Sequence, residues 1–323
     1  MTDFEKPVVV MSKCLGVEAC RYNGEIIRDD VINRLSPYVH VIPVCPEVEI
    51  GLGTPRHPIR IVTTKSEKRL VQPATDRDVT KEMTDFTDQF LHHLPEVDGF
   101  ILKSRSPSCA IKDAKFYYEG ENGQVAGKGS GLFAEKVCQR FSHLAVEDEG
   151  RLKNFTIRDH FFIKLFTLAK FRAIKKTESH SNLVQFHTEN KYLFMTFHPL
   201  KLKKLGIILA NHEKKPVSEM FRDYEQALQD LLSRPFSYKA NINVFYHIFG
   251  YFSKELSTHE KKYFLSLIDK FREKKQPKSS LVSVLYSWAL RFEQEYLLAQ
   301  TFFQPYPEQL MDISDSGKGR NLA

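Results

Sequence analysis

At 323 residues the chain is longer than one ordinary hydrophobic core, and two domains are the default expectation. Its 42% apolar and 27% charged residues exclude a disordered or fibrous protein, and no apolar run approaches the roughly 20 residues that span a bilayer. The net charge of +7 is uneven: residues 1–150 carry 19 Lys and Arg against 23 Asp and Glu, a net of −4, and the remainder carries +11.

The chain opens with two acids before its first apolar run, unlike the basic start of a secretory signal, so a cytoplasmic location is expected. "PVVVMS" (7–12) reads as a buried strand that stops just before Cys14. "DDVINRLSPY" has helical spacing, and "YVHVIPVC" (38–45) is a second strand, ending on Cys45. "KEMTDFTDQFLHHL" is a helix, "GFILKS" (99–104) a third strand with Cys109 in the loop after it, and "GLFAEKVCQRF" (131–141) a further helix. Strands alternating with helices predict an α/β domain, a mostly parallel Rossmann-like sheet with helices on both faces.

Near Gly150 the pattern changes. Amphipathic helical stretches are predicted over 154–175, 180–210, 217–233, 241–254, 257–274 and 280–300, punctuated by Pro216, Pro235 and Pro277. Ser257 followed by Glu260 reads as a capping box. The domain expectation is therefore 1–150 α/β, 151–312 all-α, and a disordered polar tail over 313–323.

In a parallel sheet, ligands bind outside the carboxyl ends of the strands. Three strands deliver Cys14, Cys45 and Cys109 to that edge, so one shared site is the economical reading. The spacings exclude a zinc ribbon or finger, and five cysteines without a secretory context argue against a disulfide framework. Three thiolates leave one coordination position open, which suits zinc with an open site or a cubane iron–sulfur cluster with one free iron. Cys20 is either a fourth ligand or a bystander, and Cys138 is core. Beside these ligands, Glu47, Ser106 and Ser108 are candidates for proton transfer. Lys103, Arg56 and Ser108 are candidates for holding the substrate.

"SKCLGVEACRYNG", "PVCPEVEIGLGTPR" and "GFILKSRSPSC" resemble the TudS-type thiouracil desulfidase domain across roughly residues 5–150. "LVQFHTENKYLFMTFHPLKLKKLG" and "YLLAQTFFQPYPEQL" are similar to the YbgA-type domain often fused to it. The resemblance implies a 4Fe-4S cluster on Cys14, Cys45 and Cys109, with Cys20 at a variable position, and it places the catalytic carboxylate and serine at Glu47 and Ser106. Ala110 stands where the family usually has glycine.

The implied activity is non-redox removal of sulfur from thiouridine in tRNA, 2-thio or 4-thio, giving uridine and hydrosulfide. The readings beside it are a desulfidase of free thiouracil or thionucleoside, and a non-catalytic metal-containing RNA-binding protein. If tRNA is the partner, the basic second half is the expected handle, through Lys170, Arg172, Lys175, Lys176, Lys201, Lys203 and Lys204. Phe186, Tyr192, Phe194 and Phe197 are expected in the helical core. No membrane association and no obligate protein partner are expected, and the sequence leaves the oligomeric state open.

Overall fold

The computed structural model describes residues 4–63, 67–119 and 123–311. The predicted tail at 313–323 lies outside them. The chain packs as two compact units, Glu5–Ala169 and a second that begins at Lys170.

In chain order the N-terminal unit contains β1 (Val8–Ser12), α1 (Asp30–Leu35), β2 (His40–Val44), α2 (Pro46–Glu49), β3 (Arg60–Thr63), β4 (Lys68–Gln72) and β5 (Arg77–Asp78). It continues with α3 (Thr80–His93), β6 (Gly99–Leu102), β7 (Ala114–Tyr118), β8 (Val125–Gly129), α4 (Leu132–Arg140) and β9 (Ala145–Asp148). Helix α5 (Phe155–Lys175) follows, and the division between the units falls within it.

The predicted parallel sheet is present. Its order is β2-β1-β6-β9, and every neighbouring pair is parallel. The apolar runs explain it: Val9, Val10, Phe100, Ile101 and Leu102 are fully buried, as strands covered on both faces must be. Gly99 sits where β6 meets β9, and a Cβ there would lie 2.6 Å from the Ala145 carbonyl oxygen. Asp29 starts α1 by accepting hydrogen bonds from the amides of Val31 and Ile32.

A second sheet was not foreseen. It has the order β5-β4-β3-β7-β8, antiparallel except for the β3–β7 pair. Ile61 and Leu70 from this sheet share one apolar core with Val10, Phe100 and Leu102 from the first and with Met83, Phe133 and Val137 from α3 and α4. Cys138 packs against that core, as expected.

The C-terminal unit is helical: α6 (His180–Glu189), α7 (Lys191–Phe197), α8 (Pro199–Ala210), α9 (Val217–Leu231), α10 (Tyr238–Tyr251), α11 (Thr258–Arg272), α12 (Lys278–Arg291) and α13 (Glu295–Leu298). The stretch predicted as one helix over 180–210 is three. It breaks at Asn190, and again where Pro199 brings no amide proton to the first turn of α8. The capping box at Ser257 and Glu260 forms as predicted. Phe186, Tyr192, Phe194 and Phe197 are buried. No helix among the described residues is long and apolar enough to cross a membrane.

Candidate functional site

The four parallel strands end at Ser12, Val44, Leu102 and Asp148 on one edge of their sheet. Beyond that edge lies a cavity of about 780 Å³. Cys14, Cys20, Cys45 and Cys109 all line it, together with Glu47, Arg56, Lys103, Ser106 and Ser108. The residues that the sequence assigned to ligation, proton transfer and substrate holding in the first half thus meet in one place. All four cysteines are buried and none is in a disulfide.

Each arrives through local structure. The Lys13 amide continues the β1–β2 ladder by donating to the Val44 carbonyl at 2.8 Å, which fixes the approach of Cys14. Cys45 occupies the N-cap of α2, its carbonyl accepting from the amides of Val48 and Glu49. Glu47 is therefore carried on the first turn of that short helix. The Cys109 loop is clamped against α4: the amides of Gly131, Leu132 and Ala134 donate to the carbonyls of Ala110, Pro107 and Ser108. Ser106 holds the same loop from within, its Oγ accepting from the amides of Ser108 at 3.2 Å and Cys109 at 3.1 Å.

Cys20 is 1% exposed, and the Cys45 thiol points at its carbonyl oxygen at 3.9 Å. Burial and the neighbouring Cys45 push the Cys20 thiol up to about 12. Burial likewise raises Cys109 to about 12, and it raises Cys14, with Cys109, Cys20 and Cys45 adding to the effect there. A set of buried thiols that oppose one another's ionisation becomes thiolate only with a cationic group bound among them. Soft sulfur donors select zinc, copper(I) or iron–sulfur groups. Among the described residues, no three His, Cys, Asp or Glu side chains could share a single metal ion. The chemistry of the donor set, cysteine thiols on one cavity, fits an iron–sulfur group, with Cys14, Cys45 and Cys109 as the residues that would hold it.

Glu47 is fixed from both sides. Its Oε2 accepts from Arg56 Nε at 3.0 Å and Nη2 at 2.6 Å, and its Oε1 accepts from Ser108 Oγ at 2.6 Å and Ser106 Oγ at 3.3 Å. Ser106 and Ser108 are themselves in contact, Oγ to Oγ, at 3.0 Å. Arg56, expected at the substrate, directs its remaining contacts to the carbonyls of Cys20 and Gly53, so it is placed as the clamp of Glu47. Lys103, also expected at the substrate, pairs with Glu149.

Sequence reasoning missed several lining residues. Lys13, Arg21, Arg60, Arg105, Lys115 and Lys128 join Arg56 and Lys103, so eight basic side chains line the cavity against two carboxylates, Glu47 and Asp113. Four of the eight are taken up in ion pairs, Lys13 with Glu18, Arg21 with Glu25, Arg56 with Glu47 and Lys103 with Glu149. Arg60, Lys115, Tyr117 and Lys128 come from the unforeseen second sheet, and Tyr22 from the loop after β1. Lys13, Arg21 and Tyr22 lie within "SKCLGVEACRYNG" and Arg105 within "GFILKSRSPSC", whereas the residues of the second sheet carried no signal.

In the C-terminal unit, three of the lysines proposed for RNA are held in ion pairs: Lys170 with Glu189, Lys175 with Glu225 and Lys201 with Asp230. Arg172 is half-buried, while Lys176, Lys203 and Lys204 are exposed.

The profile of the 2-thiouracil desulfurase family matches residues 9–149, and that of a protein family of unknown function, DUF1722, matches residues 191–307. The uncharacterized protein YbbK of Bacillus subtilis (strain 168) is 32% identical over 152 residues, covering 44% of this chain and 97% of that protein. A solved structure of the [4Fe-4S]-dependent thiouracil desulfidase TudS is similar at 26% identity and a TM-score of 0.35, over 46% of this chain and 93% of that one. Through its N-terminal α/β unit, the chain belongs to the 2-thiouracil desulfurase family.

Proposed function

We propose that the protein is a desulfidase that replaces the thiocarbonyl sulfur of a thiolated uracil with oxygen from water. The observation that carries this reading is the convergence of Cys14, Cys45 and Cys109 with Glu47 in one cavity at the strand ends. A 4Fe-4S cluster held by those three cysteines supplies, when bound, an iron without a cysteine ligand, a soft Lewis acid for the thiocarbonyl sulfur.

The rest of the chemistry belongs to side chains. Glu47, its Oε2 locked by Arg56, presents Oε1 as the acceptor for a proton from the attacking water. Ser108 Oγ and Ser106 Oγ form a short relay to that same oxygen. The new carbon–oxygen bond forms from water, the carbon–sulfur bond breaks, sulfur leaves as hydrosulfide, and no electron is transferred. Tyr22 and Tyr117 line the cavity with Arg21 and Arg60 over their rings, and the basic lining suits a substrate that carries phosphate.

The substrate we favour is thiouridine within tRNA. The Arg60, Arg105, Lys115 and Lys128 side chains lining the cavity support it, as does the +11 charge of residues 151–323. Lys176, Lys203 and Lys204, exposed on the helical unit, are the residues we assign to phosphate contacts. A cytoplasmic location accords with that substrate.

The test is anaerobic incubation of reconstituted protein with thiolated tRNA, thiouridine and thiouracil, following the thiocarbonyl absorbance. Loss of the signal from tRNA, weakened by added salt, is the expected result. Turnover of the small molecules alone would make the helical unit a scaffold, and no turnover with the cluster intact would remove the enzymatic reading.

A further inference from the structure

The fourth strand of the parallel sheet also delivers a functional group. Glu149 directly follows β9 and is buried. Its Oε1 accepts from Lys103 Nζ at 2.5 Å and from Ser104 Oγ at 2.6 Å, and its Oε2 accepts from the Ser104 amide at 2.8 Å. The Lys103 ammonium also donates to the Ser104 carbonyl at 2.9 Å and to Ser104 Oγ at 3.0 Å. Its three protons are thus all committed to the protein. The Lys103 backbone is pinned as well, its amide donating to Ser12 Oγ, two residues before Cys14. Lys103 lines the cavity, and its charge is near enough to act on the Cys14 thiol.

A lysine whose donors are all taken is poorly suited to grip a substrate, yet it remains a positive charge of fixed position. The geometry points to Lys103 as the fixed cation that stabilises the sulfur as it departs as hydrosulfide, with Glu149 as the residue that positions it. The inference rests on the desulfidase reading. Carbon–sulfur cleavage turns a neutral thiocarbonyl into an anionic leaving group, and a preorganised charge favours the product side without reorganising. The arrangement parallels that of Arg56 and Glu47, a buried ion pair where the water must be activated, with Lys103 of the second pair lining the same cavity. A neutral substrate in its ground state gains little from such a charge, so the effect falls on turnover and on sulfide affinity.

The experiment titrates sodium hydrosulfide into anaerobically reconstituted protein, read by the visible absorbance of the cluster, beside steady-state kinetics with neutral thiouracil. Lys103→Met is expected to keep its iron, to bind hydrosulfide roughly tenfold more weakly and to lose kcat at nearly unchanged KM. Lys103→Arg is expected to restore most of both. The double variant Lys103→Met with Glu149→Gln, which strands no buried carboxylate, reads the same quantities if the single variant folds poorly. Wild-type hydrosulfide affinity in a Lys103→Met or double-variant protein that holds its iron would overturn the inference, leaving the desulfidase reading untouched. A raised KM at unchanged kcat would also overturn it, making Lys103 a substrate contact. Wild-type protein that holds no cluster, or whose cluster takes up no hydrosulfide, would sink the underlying reading and this inference with it.

Discussion

Ser108 Oγ donates to Glu47 Oε1 at 2.6 Å, joining residues 61 positions apart in sequence. This bond ties the loop that carries Cys109 to the helix that begins after Cys45. Ser106 stands differently in the same loop, because its oxygen already accepts two backbone amides. The two serines should therefore separate on mutation. Ser108→Ala should retain iron and lose turnover by roughly 10²-fold, the usual range for a lost proton-transfer partner. Ser106→Ala should lose iron as well, since the loop lacks its internal hold. Iron content and kcat, measured on the same preparations, check both.

Arg56 is 4% exposed in its side chain and Glu47 12%, so their ion pair is a buried one. Arg56→Met leaves an unmatched carboxylate, and its expected cost to stability is about 3 kcal/mol. The double variant Arg56→Met with Glu47→Gln should recover most of that loss, because the stranded charge is gone. Denaturant midpoints of the single and double variants decide it. Equal midpoints would show that the clamp contributes little to the fold.

Gly131 lies so close to the cysteine loop that a Cβ would come within 2.5 Å of the Ser108 carbonyl carbon and oxygen. Its backbone dihedrals are ordinary, so the constraint is space and not conformation. Gly131→Ala should push the loop away from α4 and reduce iron retention while the helix content of the protein stays the same. Iron analysis beside far-ultraviolet circular dichroism tests this, and full iron in Gly131→Ala would show that the loop yields freely.

His187 Nδ1 lies 3.0 Å from the hydroxyl of fully buried Tyr224. Burial, with Lys191 nearby, lowers its pKa to about 4 from 6.5. The unfolded chain therefore binds a proton between those values that the folded chain does not. Stability from this group is complete above pH 6.5 and is lost as pH falls toward 4, by on the order of 3 kcal/mol in all. His187→Gln should flatten that limb of the stability curve of the helical unit. An unchanged slope between pH 4 and 6.5 would assign the acid sensitivity elsewhere.

The parallel sheet was legible because its strands are short apolar runs bounded by Gly and Pro, and the cysteines were legible because they follow those runs. The second sheet was not. "KRLVQ" and "VAGKG" hold too few apolar residues to mark a strand, and their pairing is decided by partners distant in sequence. β9, "AVED", resembles an acidic loop, so Glu149 carried no signal until it was placed beside Lys103. Arg56 and Lys103 read as free cations because a sequence does not show which carboxylate takes them up. The same blindness applied to Lys170, Lys175 and Lys201, whose acidic partners lie on other helices.

The order β2-β1-β6-β9 has a consequence for biosynthesis. β1 lies between β2 and β6, and the edge strand β9 does not end until Asp148. A nascent chain that has exposed Cys14, Cys20 and Cys45 holds three of the cavity's four thiols but no enclosure for them, since Cys109 and Glu149 come much later. Such non-local strand pairing is slow compared with helix formation. Loading of the site is thus a late event, following closure of the sheet, and an N-terminal fragment that stops before β9 should remain unable to mature.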